Sequence, residues 1–110
     1  SAVKTIELLK TANCFVGHTH IPVIFSNAEG YITAFLNKEI ELIAGAKQAI
    51  NVGSVGQPRD GNPQAAYGVY HLERNLIEFK RVKYDIHTAQ EKILKAGLPG
   101  ALATRLSQGI

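Results

Sequence analysis

Val3, Ile6, Leu9 and Ala12 recur at helical spacing, with Lys4, Glu7 and Lys10 between them, and this predicts an amphipathic helix that opens the chain. It has no N-cap, and Ser1-Ala2 reads as a tag remnant, an unusual start for a complete protein. The period then changes. Cys14-Phe15-Val16 reads as a short buried strand, followed by strands over 22–26, 31–36, 40–44 and 49–52. Asn27-Ala28-Glu29-Gly30 and Asn37-Lys38-Glu39 mark turns between them, and residues 45–48 break the run. Two further strands, 65–72 and 76–82, flank the turn Glu73-Arg74-Asn75. Closely spaced β runs of this kind predict antiparallel hairpins.

The final third changes period again. Thr88 and Glu91 have capping-box spacing, Ala89, Ile93 and Ala96 form an inward face, and Gly97 suits a left-handed helix end. Pro99 stops that helix or starts a short last one carrying Leu102, Ala103 and Leu106. The expected fold is therefore α+β, with antiparallel hairpins and terminal helices. One sheet face needs a cover that those helices do not fully supply.

Composition narrows the class. At 110 residues the chain is one domain or a piece of one. No apolar run approaches a membrane span, and no leader precedes a cleavage site. A single cysteine excludes an internal disulfide and suits a reducing cytoplasm. The net charge of +3 has a local origin, because residues 1–79 carry six basic against seven acidic side chains. The excess lies around Lys80, Arg81, Lys83, Lys92 and Lys95. A solvated basic face explains it more simply than a nucleic-acid surface, since no helix-turn-helix or RNA-binding signature accompanies it.

Candidate chemistry centres on Gly17-His18-Thr19-His20. Two imidazoles at i and i+2 of an extended segment project to the same side, so both rings could face one cavity at a strand end. Gly17 leaves room for close approach to the backbone. Cys14 could add a third ligand, but it sits in a strand that reads as core and is expected to be a small buried hydrophobe. Structural zinc sites need four closed ligands, and His71 and His87 do not complete one. Both are expected in structural or exposed roles. A second loop, residues 51–63, is rich in glycine but is a weak phosphate-cradle signal: it is neither a Walker A motif nor a dinucleotide fingerprint, because a strand follows it rather than a helix.

Taken together, Phe15-Val16-Gly17-His18-Thr19-His20-Ile21-Pro22 and Ile50-Asn51-Val52-Gly53-Ser54-Val55-Gly56-Gln57-Pro58-Arg59-Asp60-Gly61 resemble the calcineurin-like metallophosphoesterases. The similarity is greatest to the small prokaryotic branch labelled phosphodiesterase or predicted phosphatase. Ala65-Ala66-Tyr67 and Arg81-Val82 with Tyr84-Asp85 extend the match over nearly the whole chain. Val52 stands where many members carry proline.

The resemblance implies a parent fold of four α/β layers, with two sheets face to face between helices. It implies two divalent ions (manganese, iron, zinc or nickel), with His18 on one and His20 on the other. It also implies a phosphate-ester substrate whose phosphoryl oxygens both metals polarise. The family's earlier ligand motifs, Asp-x-His, Gly-Asp-x-x-Asp and Gly-Asn-His, are not in this chain. Its two aspartates, Asp60 and Asp85, both follow the histidine pair. Residues 1–110 are therefore expected to be the C-terminal half of such a domain, inactive alone, with no catalytic acid of its own. Its partner would be the missing N-terminal half, and the uncovered sheet should promote self-association.

Arg59 is the candidate substrate-binding residue, because strands ending in Val16 and Val52 could deliver both loops to one sheet edge. Guanidinium is a natural bidentate partner for phosphate. Local pairing of Arg59 with Asp60 is the competing reading. The competing function is a non-catalytic β-rich protein-interaction module, which Asp-x-His and Gly-Asp-x-x-Asp in the upstream coding sequence would eliminate.

Overall fold

A computed structural model describes residues 2–33 and 38–110. Helix α1 (Ala2–Leu8) leads into β1 (Asn13–Val16), β2 (Val23–Ser26), β3 (Gly30–Thr33), β4 (Glu39–Glu41), β5 (Gln48–Asn51), β6 (Ala65–His71) and β7 (Leu76–Val82). Helices α2 (Ile86–Lys95) and α3 (Gly100–Gln108) follow. The strands form two sheets, ordered β1-β5-β2-β3 and β4-β7-β6.

The hairpins and terminal helices match expectation. The predicted strand over 31–36 is seen as far as Thr33, and its continuation, Asn37 and Ser1 lie outside the described residues.

One pairing differs from the hairpin expectation. β1 runs parallel to β5, with Phe15 opposite Ile50 and Val16 opposite Asn51, while the other described pairings are antiparallel. Strand β5 is central and buried along its whole length. β1 is an edge strand, and Phe15 is 51% exposed, so the expectation of a buried strand there does not hold. Cys14 is half-buried for the same reason.

The opening helix also ends earlier than its apolar period suggested. The Lys47 ammonium donates to the Leu9 carbonyl at 2.9 Å, and the Gln48 N–H donates to the Ala12 carbonyl at 2.7 Å. The sheet ladder thus recruits Ala12 away from the helix.

Ile24 and Ile50 of the first sheet pack against Ile77 and Phe79 of the second, with Leu42 beside them. Burial of a side chain of this size contributes about 1.5–3 kcal/mol, so this cluster holds the sheets face to face. A polar link reinforces it at the edge. The Asn13 amide donates to the Tyr70 hydroxyl and to Asn75 Oδ1, both at 3.2 Å, and Phe15 meets the Tyr70 ring edge-on.

Helix α2 starts at Ile86 rather than Thr88. Asp85 is its N-cap and accepts from the Thr88 N–H at 3.0 Å and the Thr88 hydroxyl at 2.7 Å. Thr88 is therefore a partner of the cap rather than the cap itself. Gly97 takes the left-handed position after α2 as expected, and Ala103 and Leu106 are the buried positions of α3.

Candidate functional site

The parallel register of β1 and β5 decides where the site lies. Both strands end on the same side of the sheet, so the histidine loop after Val16 and the glycine loop after Asn51 leave it together. The expectation that the two strands deliver adjacent loops is realised in the backbone. The Arg59 N–H donates to the His20 carbonyl at 3.3 Å.

The histidines themselves do not follow strand alternation. β1 stops at Val16, and His18 and His20 have φ of 84° and 62°, in the left-handed region. For residues other than glycine this backbone costs about 1–3 kcal/mol and needs surrounding contacts to hold it. Those contacts are present. His20 Nδ1 lies 2.8 Å from the Gln57 carbonyl oxygen, which can only accept, so Nδ1 carries the proton. The lone pair of Nε2 remains for a ligand, the arrangement that prepares an imidazole for a metal ion. The His18 ring is exposed.

Asn51, the last residue of β5, holds the two loops together. Its side-chain amide donates to the Thr19 hydroxyl at 2.9 Å and the Gly17 carbonyl at 3.1 Å. Its Oδ1 accepts from the Gly53 N–H at 2.9 Å. The residue is 3% exposed, while its partners Gly17 and Thr19 lie at the surface. An asparagine directly after Ala49-Ile50 and before the glycine-rich loop was the signal that could have revealed it.

Gly53 has to be glycine. Its φ is +91°, and a Cβ there would sit 2.8 Å from both Ala66 Cβ and Pro22 Cγ. Gly17, by contrast, has open space around it and is not crowded by its surroundings.

Arg59 is exposed, and its guanidinium donates to Gln57 Oε1 at 3.1 Å. It does not pair with Asp60, which is held by Arg81. Arg81 also donates to the Gln64 carbonyl at 2.9 Å, and burial lowers its pKa from the ordinary guanidinium value. The far end of the glycine loop is fastened by α3. The Gly61 N–H donates to the Gly109 carbonyl at 2.9 Å, and a Cβ on Gly109 would meet the Asn62 backbone at 2.7 Å.

The other two histidines lie elsewhere. His71 pairs with Glu78, which also binds Lys80 at 3.0 Å. The Lys80 and His71 hydrogen bonds hold the Glu78 carboxyl below its ordinary pKa. His87 pairs with Glu91 one turn along exposed α2. Among the described residues no three histidine, cysteine, aspartate or glutamate side chains gather into a metal-sized cluster. The residues present fit a divalent ion in part. They supply two imidazoles, one of them pre-oriented, but none of the carboxylates that neutralise a pair of cations.

No family model matches the chain. It is 47% identical over 95 residues to an uncharacterised protein of Methanocaldococcus jannaschii, a match spanning 86% of this chain and 38% of that protein. The crystal structure of a metallophosphoesterase from Sphaerobacter thermophilus superposes with a TM-score of 0.90 at 34% identity, over 99% of this chain and 47% of that one. In fold, and at 34% sequence identity, the chain is similar to part of that metallophosphoesterase. It spans less than half the length of either relative. Among the described residues no helix is long and apolar enough to cross a membrane.

Proposed function

We propose that residues 1–110 form the C-terminal half of a dinuclear-metal phosphoesterase that hydrolyses phosphomonoesters or phosphodiesters. The observation that carries this reading is His20, whose Nδ1–H is committed to the Gln57 carbonyl and whose Nε2 is thereby turned into a donor. His18 and His20 would each hold one divalent ion (manganese, iron, zinc or nickel), with the carboxylate ligands supplied by the preceding half. When bound, those ions supply the positive charge that stabilises developing charge on the phosphoryl oxygens. Arg59 extends from the adjoining loop to bind and orient the substrate phosphate.

The shape of the chain agrees with a piece that needs a complement. Its radius of gyration is 15.8 Å. A compact domain of this length has about 13 Å. The exposed Phe15 and Val16 lie on the open edge strand, where the other half would cover them and where the isolated chain would self-associate. One free cysteine suits the cytoplasm as the working compartment.

Zinc titration of the ¹⁵N-labelled chain tests the ligand assignment. The His18 and His20 ring signals should shift first, with weak overall affinity, and manganese should bind still less. Shifts confined to His71 or His87 would contradict it.

A further inference from the structure

We infer that Asn51 is the positioning residue of the metal site, acting through the histidine loop to keep the His20 ring in its ligating form. The inference rests on the reading of His20 as a metal donor and adds a residue outside the histidine and glycine motifs' evident chemistry. Asn51 occupies the last position of the central strand β5 and sits opposite Val16, the last residue of β1. Its backbone is therefore fixed by sheet pairing on both sides, with β1 and with β2.

From that anchor the side chain uses its full donor and acceptor capacity in two directions. The two amide hydrogens go to the Gly17 carbonyl and the Thr19 hydroxyl, the residues that bracket His18. The oxygen takes the Gly53 N–H, which starts the loop carrying Gln57 and Arg59. The His20 ring closes the circuit by donating to the Gln57 carbonyl, and the Arg59 N–H adds a backbone bond to the His20 carbonyl.

Two left-handed histidines are strained on their own, and a loop held at one point would relax. Asn51 sets the separation of the two loops, so it sets whether the Gln57 carbonyl stands where Nδ1 can donate to it. Loss of that register frees the imidazole to exchange between tautomers, and metal affinity falls because only one tautomer presents Nε2. Partners that orient a ligating histidine typically matter about 10–100-fold in metal affinity.

The test uses Asn51→Asp, which keeps the shape and the acceptor for Gly53 but removes both donors, and Thr19→Val, which removes one partner at an exposed position. Thr19→Ser serves as the rescue. Two quantities are read on the 110-residue chain at a pH above the imidazole titration range. These are the ¹⁵N shifts of the His20 ring and the zinc dissociation constant.

In the wild type His20 should show one protonated Nδ1 and one pyridine-like Nε2. Asn51→Asp should average those two signals and weaken zinc binding about tenfold. Thr19→Val should do so about threefold with an unchanged melting temperature, and Thr19→Ser should restore both readings. If both variants leave the ring signals unchanged, Asn51 is only a structural residue and the inference is overturned, whether or not zinc binds. If His20→Ala leaves zinc binding unaltered while the ring signals do respond to Asn51, the metal reading fails and the positioning role stands.

Discussion

His20 Nδ1 donates across 2.8 Å to the main-chain carbonyl of Gln57, a residue 37 positions further along the chain. That single bond joins the two motifs that carry the family likeness. It works only because β1 and β5 lie side by side and parallel, so that loops distant in sequence leave the sheet from the same end.

Gly53→Ala should destabilise the chain by about 2–4 kcal/mol, the combined effect of an unfavourable left-handed backbone and a Cβ overlapping Ala66 and Pro22. Gly17→Ala should change stability by no more than about 0.5 kcal/mol, because nothing lies within 4 Å of its added Cβ. Urea unfolding of both variants checks the pair. Equal losses would mean that the glycine loop is not packed as described.

The residues that make those contacts were unequally legible. The strands at 65–71 and 76–82 were readable because they are adjacent in sequence and share one turn. The parallel pairing of β1 with β5 was not, because no local period records which strands meet across more than 30 residues. The histidine motif marked the candidate site, but its strand-based geometry failed where β1 ends and the backbone turns left-handed. Asn51 is ambiguous in the sequence, because it falls both near the end of the predicted 49–52 strand and at the start of the glycine-rich loop. Only tertiary structure shows its side chain buried between two loops.

Acid should weaken the start of α2. The Thr88 hydroxyl and N–H hold the Asp85 carboxyl below its ordinary pKa. A carboxylate whose folded pKa is depressed adds stability above its unfolded pKa of about 3.9 and loses it as the pH falls through the folded value. Amide exchange at Thr88 and Ala89 should therefore accelerate below about pH 4, and Asp85→Asn should flatten that dependence. A pH-independent exchange rate at Thr88, after correction for intrinsic exchange, would contradict the capping role.

If the proposed activity holds, Arg59→Ala in the full-length protein should lower kcat/KM for an aryl phosphate about 3–10-fold through a raised KM. Metal content and melting temperature should stay as in the wild type, because the Arg59 side chain is exposed and its hydrogen bond is to neighbouring Gln57. Unchanged kinetics with lowered stability would show that Arg59 only holds the loop.

The central claim is that this chain carries the histidine ligands of a metallophosphoesterase site completed by carboxylates from a preceding half. Its most direct measurement is manganese-dependent hydrolysis of an aryl phosphate ester by residues 1–110 alone and by the full-length protein. The chain alone should show no turnover above a mock purification, and the full-length protein should be active. In the latter, His18→Ala and His20→Ala should each reduce kcat/KM at least about 100-fold. Turnover by the 110-residue chain that disappears in His18→Ala would contradict the account, because it would show a complete metal site built without those carboxylates.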